Sequence, residues 1–363
     1  MADFFELDFF DVETDKSGDA ISVRYEVAGQ TLVHLVDGGY KVTGPTIVAN
    51  IKKYYGTSRI DHVVVTHCDG DHTGGLSHVV ENMEVGELWM LRPWLYAEEL
   101  LPRFATYTNV DRLRSRLRGI YSSLADIEEI AQRKGVRIRD PFQGEYIGHF
   151  LVLAPSRARY LDLIVDSEKT PESVAEAEAT AMDRIRWILG AGARKAASLI
   201  AGAWNHESFP ADGTSCENEM SVVQMAVLSE KTIVLTGDGG RGALTEAADY
   251  CDRFGLGLPG VDRIQIPHHG SRRNVSTALL DRWLGPRLPA QPPSGSETFT
   301  AICSSAKTDP DHPRNAVVRA FMHRGAKVIA TESQHIRTSG GDAPARDGWS
   351  AVTAVPYPTT LEE

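Results

Sequence analysis

Short apolar runs, several of them closing on Gly, Asp, His or Pro, recur along the chain and set its organisation. Residues 60–65 (IDHVVV), 150–154 (FLVLA), 221–237 and 298–304 (TFTAICS) have the length and β-branched content of buried strands. Between residues 4 and 35 polar and apolar positions alternate, and 21–25 (ISVRY) set against 30–34 (QTLVH) reads as a hairpin. Two stretches change period. From about 93 to 139, Leu, Ile and Ala recur at three- and four-residue spacing, and about 171–203 is rich in Ala and Glu, so both read as helical blocks. The pattern predicts two β-rich halves with helices outside. Residues 286–296 (PRLPAQPPSGS) read as a loop and not a domain boundary, because a core strand follows. The residues beyond Pro356 read as a disordered tail, and no internal sequence repeat is evident.

With 363 residues and 42% hydrophobic content, the chain can fill one large α/β core with insertions or two small domains. No apolar stretch approaches a membrane span and the first residues lack the basic start of a signal peptide. Cys68, Cys216, Cys251 and Cys303 are widely spaced, as suits reduced thiols, and the expected location is cytoplasmic. A net charge of −11 argues against a broad electrostatic grip on nucleic acid. A local grip is still allowed. Arg103, Arg112, Arg114, Arg116 and Arg118 surround one predicted helix, followed by Arg133, Lys134, Arg137 and Arg139; these form either a substrate groove or a solvated face paired with acids.

The densest chemistry lies in residues 66–75 (THCDGDHTGG), where His67, Cys68, Asp69, Asp71 and His72 follow the strand 60–65 and precede a helix-like stretch, 75–81. At a strand's end His67 and Asp69 share one face, and the turn at Gly70 swings Asp71 and His72 toward a neighbouring position. Imidazole and carboxylate together suit zinc, manganese or iron, and two such ions about 3.5–4 Å apart can hold a bridging hydroxide. Strand alternation points Cys68 away from its neighbours, as a small buried residue, although thiolate is a rival zinc ligand.

These residues resemble the metal-binding signature of the metallo-β-lactamase fold, whose usual order is His-x-His-x-Asp-His. Here Asp69 stands at the second His. The resulting His-x-Asp-x-Asp-His-x-Gly-Gly resembles the hydrolase domain of ComEC-type DNA-uptake proteins. Residues 35–39 (LVDGG), 151–155 (LVLAP), 218–223 (NEMSVV), 232–238 (TIVLTGD), 264–271 (IQIPHHGS) and 311–314 (DHPR) extend the resemblance in the same order. Taken singly, Asp37 reads as a turn cap, Gly-Asp as a turn, the His pair as structural, and His312-Pro313 as a helix start.

The resemblance, covering roughly residues 20–335, implies a four-layer αββα sandwich. The chain is then a single domain over 1–363, with helical insertions at about 93–139 and 171–203 and a dinuclear site at the edge between the sheets. It implies that Asp37 buttresses the metal loop. One ion is held by His67, Asp69 and an unassigned ligand, the other by Asp71, His72 and His268, with Asp238 bridging. His206 or an open position completes the first; His78 falls in a helix and His149 before a strand. Asp71, orienting water, and His269, near substrate, are the implied catalytic residues, with Arg272 or Arg273 stabilising developing charge.

Two divalent ions are the implied cofactors. An extra carboxylate hardens the site, so Mn2+, Mg2+ or Fe2+ are compatible beside Zn2+. The expected activity is hydrolysis of a phosphodiester by metal-bound hydroxide, with nucleic acid or a nucleotide-like molecule as substrate and a nuclease as its leading form. A small-molecule phosphoester, nucleotide or acyl-ester hydrolase is the alternative. A non-catalytic partner subunit is a third reading, against which the intact donor set stands, and a protein partner is compatible with each. The transmembrane channel of ComEC-type proteins has no counterpart, so DNA uptake is not the expected role.

Overall fold

The computed structural model describes residues 2–12, 14–173 and 199–362. In chain order the strands among these residues are β1 (Ala2–Phe9), β2 (Ile21–Val27), β3 (Gln30–Val36), β4 (Arg59–Val64), β5 (Glu84–Trp89), β6 (Arg137–Arg139), β7 (Tyr146–Ile147) and β8 (Phe150–Ala154). They continue with β9 (Leu199–Ala201), β10 (Val223–Leu228), β11 (Lys231–Leu235), β12 (Arg263–Gln265), β13 (Phe299–Cys303), β14 (Ala326–Ala330), β15 (Ile336–Gly341) and β16 (Thr360–Glu362). One sheet runs β15-β1-β2-β3-β4-β5-β6 and the other β14-β13-β12-β11-β10-β8-β7. Each begins as an antiparallel meander and ends in parallel strands: β3, β4, β5 and β6 in the first, β11, β12, β13 and β14 in the second. The two halves thus share a topology without sharing a sequence repeat.

Alternation along the strands explains the layering. On β1, Phe5, Leu7 and Phe9 face the second sheet and join Ile21, Val23 and Tyr25 of β2 against Phe150, Val152, Ile233 and Leu235. The intervening Glu6 and Asp8 are buried on the opposite face, where Arg24, Arg337 and Arg346 pair with them. On β4, Ile60 and Val63 pack outward and Val64 inward, so this strand is covered on both faces. Three apolar clusters follow. One lies between the sheets, and each of the others lies between a sheet and its helices. Each fully buried large apolar side chain contributes about 1.5–3 kcal/mol. The architecture is the αββα sandwich of the metallo-β-lactamase fold.

The helices Val110–Ile120 and Ser122–Arg133 fill the connection from β5 to β6 and bury Leu113, Leu117, Leu124 and Ile127 against the first sheet. Of the second helical block, 174–198 lies outside the described residues. Its end departs from expectation, since Leu199–Ala201 forms β9 and pairs with β16. This also corrects the reading of the tail. Beyond Pro356, Tyr357 stacks on Trp204 and Arg319, and Glu362 accepts hydrogen bonds from the backbone of Asn315 and Ala316. A short polar terminus carries no periodic signal, yet Arg319 and that helix start supply the partners that hold it. No helix of the described residues is long and apolar enough to cross a membrane.

Candidate metal centre

The C-terminal ends of β3, β4, β11 and β12 converge on one rim of the sandwich. There the parallel strands end and loops leave the sheets, a place where open α/β sheets commonly hold ligands. Asp37 follows β3 with φ +58 and is fully buried. Its Oδ1 accepts from the Thr66 amide at 2.8 Å, and its Oδ2 accepts from the Thr66 hydroxyl at 2.6 Å and from His72 Nδ1 at 2.7 Å. Because that hydroxyl donates to Asp37, it accepts from His67 Nδ1 at 3.0 Å. Both rings are therefore fixed with Nε2 bare.

The glycines after the loop are demanded by close approach. A Cβ on Gly75 would stand 2.1 Å from the Gly38 carbonyl oxygen, so only glycine lets the helix Leu76–Asn82 begin against the β3 exit.

From the second sheet, Asp238 follows β11 and is 2% exposed. Its two oxygens divide the centre. Oδ2 faces His268 Nε2 at 3.5 Å and His67 Nε2 at 3.9 Å, and Asp69 Oδ2 lies 3.8 Å from the same His67 nitrogen. Oδ1 faces His72 Nε2 at 3.2 Å and His269 Nε2 at 3.8 Å, and Asp71 Oδ2 lies 3.5 Å from His269 Nε2. His268 and His269 both reach this carboxylate because both take left-handed backbone, φ 49 and 52. In extended backbone, neighbouring side chains would point to opposite faces. His269 Nδ1 donates to the Ser304 carbonyl at 2.9 Å, and His268 Nδ1 lies 3.0 Å from both Asn274 and Asn218 side chains.

The structure therefore brings together His67, Asp69, Asp71, His72, Asp238, His268 and His269. The distribution differs from expectation: His268 faces the His67 half, where a ligand was unassigned, and His269 faces the Asp71–His72 half. His206 is exposed in a turn whose neighbour Glu207 binds His323 and Arg324, away from the cluster. Arg272 donates to the Glu362 carbonyl and Arg273 pairs with Asp212, so neither is directed at the cluster. Arg103, Arg114 and Arg118 pair with Asp162, Asp111 and Glu128, so part of this arginine cluster is a paired solvated face. Cys68 packs among apolar residues, and burial pushes its thiol pKa up.

Sequence reading missed two residues. Asp19, in the β1–β2 loop, is 1% exposed and forms with His72, Asp238 and His269 a buried group whose potential ligand atoms lie within 4.8 Å of one another. Lys169 Nζ lies 3.1 Å from Asp69 Oδ1. His312 was read only as a motif. Its ring stacks on His268 at 5.7 Å and its Nδ1 meets Asp309 at 3.1 Å.

The residues fit divalent ions. Five buried atoms gather at this one place without a well-formed hydrogen bond, His67 Nε2, His72 Nε2, His269 Nε2, Asp238 Oδ1 and Asp19 Oδ1, the nearest approach among them being His72 Nε2 to Asp238 Oδ1 at 3.2 Å. Such orphaned atoms are rare in protein interiors unless something binds them. The electrostatics agree. Burial disfavours charge on His72 and His269, yet surrounding carboxylates outweigh it, raising His72 well above its ordinary value and His269 to about 9. Burial opposes ionisation of Asp71 and Asp238 too, but the neighbouring histidines hold both below the usual carboxylate range. The grouped carboxylates favour positive charge at this place.

Paired His and Asp donors at the rim of the two-sheet sandwich form a candidate metal centre. Residues 22–145 match the family described as the metallo-beta-lactamase superfamily. No curated protein matches the chain. Among solved structures, the hydrolase AbOPH of the beta lactamase superfamily is 12% identical over 61% of this chain and 56% of its own, with a TM-score of 0.30. The CmlA beta-hydroxylase is 11% identical over 93% of this chain and 54% of its own, with a TM-score of 0.39. The dizinc quorum-quenching lactonase AidC is 9% identical over 66% and 69%, with a TM-score of 0.30. The chain thus spans little more than half the length of the first two.

Proposed function

We propose that this chain is a metal-dependent hydrolase acting on phosphodiesters. The observation that carries the reading is the bisected Asp238 carboxylate, with imidazole and carboxylate donors gathered at each of its oxygens. Divalent ions bound there would supply Lewis acidity toward a phosphoryl or carbonyl oxygen and would lower the pKa of water toward neutrality. Asp69 in place of a neutral imidazole supports a hard, oxygen-rich site of the kind that suits phosphoryl chemistry.

The chain's own residues supply the rest. Asp37 holds His72, and through Thr66 also His67, in the tautomer that leaves Nε2 bare. Asp71 is kept ionised and partly exposed, so its carboxylate can accept a hydrogen bond from an attacking water and orient it. Lys169, half exposed beside Asp69, is a cation placed to meet a substrate oxygen. A small-molecule phosphoester or acyl ester is the second reading, favoured by the pairing of Arg103, Arg114 and Arg118 with acids. The retained donor set speaks against a purely structural partner subunit.

The test is hydrolysis of single- and double-stranded DNA and RNA, bis(4-nitrophenyl) phosphate and 4-nitrophenyl acetate. Mn2+, Zn2+ or Mg2+ is added, with an Asp71→Ala, His72→Ala variant in parallel. Metal-dependent phosphodiester cleavage, lost in the variant, is expected. Ester cleavage without any phosphodiester cleavage would replace this reading with the second.

A further inference from the structure

We propose that Asp19 is itself a ligand of the metal centre and makes its two positions chemically unequal. The position Asp19 joins accepts oxygen-preferring cations such as Mn2+ more readily than the other. The inference rests on reading the site as dinuclear. Asp19 is 1% exposed and its Oδ1 has no hydrogen-bond partner, while Oδ2 lies 3.6 Å from His269 Nδ1, an atom already engaged by the Ser304 carbonyl. Taking a carboxylate out of water costs several kcal/mol unless a partner compensates. The main chain anchors it, and the Ser304 side chain is the one hydroxyl close to its carboxylate. The Asp19 amide donates to the Asp71 carbonyl at 3.1 Å, and its carbonyl accepts from the Gly39 amide at 2.7 Å. A Cβ on the preceding Gly18 would stand 2.8 Å from that same Asp71 oxygen, so the β1–β2 loop is pressed onto the metal loop.

The donor sets then differ. Around Asp238 Oδ1 stand Asp19, His72 and His269, and Asp71 adds a third carboxylate 3.5 Å from His269 Nε2. Around Oδ2 stand Asp69, Asp238, His67 and His268. Three oxygen and two nitrogen donors, with room for water, suit six-coordinate Mn2+ or Fe2+. Two of each suit tetrahedral zinc.

The experiment uses metal-stripped full-length chain, titrated with Mn2+ and with Zn2+ by calorimetry, with metal counted per chain by mass spectrometry. Two classes of site are expected, their Zn2+-to-Mn2+ affinity ratios differing at least tenfold. Asp19→Asn should weaken Mn2+ at the Mn2+-favouring class at least about tenfold, more than Zn2+. Asp69→Asn should weaken the other class and leave that Mn2+ site intact. This variant and the wild-type ratios keep the test decisive should Asp19→Asn not fold. Equal ratios at both sites, or an Asp19→Asn chain in which both metals are unchanged or weakened alike, would overturn the proposal. Alike weakening would mark Asp19 as a residue that only orients His269. A wild-type chain that binds no ion would overturn the dinuclear reading as well, whereas two bound ions without hydrolysis would leave Asp19's role standing and remove only the proposed activity.

Discussion

His72 Nδ1 lies 2.7 Å from Asp37 Oδ2, and both side chains are fully buried. One carboxylate at the end of β3 thus orients a ring donated by the loop after β4, and through Thr66 it orients His67 as well. Asp37→Asn should keep the volume and lose the acceptor that both Thr66 and His72 need. Metal affinity is expected to fall about 10–100-fold, measured by calorimetry. Asp37→Ala should in addition lower stability by about 3–5 kcal/mol in urea unfolding, as expected when one partner of a buried pair is removed.

Two glycines of the metal loop should respond in opposite ways. Around Gly70 a Cβ would meet nothing within 4 Å, and Gly70→Ala is expected to change stability by no more than about 0.5 kcal/mol. At Gly75 the added carbon would collide with the Gly38 carbonyl, so Gly75→Ala must push the β3 exit and the metal loop apart. A lowered melting temperature together with weakened metal binding is expected, checked by calorimetry on the two variants side by side.

His34 lies between the sheets against Phe150, fully buried, with the Gln224 side chain the polar group beside it. Burial, then the neighbouring His62, pushes its pKa well below 6.5. The folded chain therefore holds it neutral, whereas the unfolded chain binds its proton as pH drops below 6.5. The stability present above that pH is lost as pH falls toward the depressed folded value, by up to about 1.4 kcal/mol per pH unit. His34→Leu should remove that slope, so the difference between variant and wild type in urea unfolding should grow in the variant's favour from pH 8 to pH 5.

Arg112 and Arg116 are exposed on the helix Val110–Ile120, and no carboxylate pairs with either among the described residues. If the substrate is a polynucleotide, the double change to Gln should raise KM several-fold and reduce the salt dependence of binding by roughly one to two counterions. Turnover of bis(4-nitrophenyl) phosphate should stay unchanged. No effect on either substrate would favour the small-molecule reading.

The metal loop was legible because its donors are contiguous, and because the apolar strand before it and the Gly pair after it fix where it lies. Asp238, His268 and His269 were legible as polar residues at the ends of apolar runs. Their allocation was not. Nothing in the string Pro-His-His-Gly announces two successive left-handed residues, so the resemblance implied one ligand and one residue near substrate where the backbone turns both inward. Asp19 was missed for a related reason. In DKSGD it looks like a solvated turn, and the pairing of its backbone with Asp71 and Gly39 is what holds it in the interior. The strands were largely readable from alternation, while β9, β16 and the C-terminal contacts depend on partners distant in sequence.

The side chains wedged between the sheets, Phe5, Leu7, Phe150 and Ile233 among them, act as a spacer of fixed thickness. His67 and His72 hang from one sheet and Asp238, His268 and His269 from the other, so that spacer sets the gauge across which they meet. A methylene removed there, far from any polar atom of the rim, would be felt as a change of bite. The tuning of this chemistry is thereby written partly in residues that carry none of it.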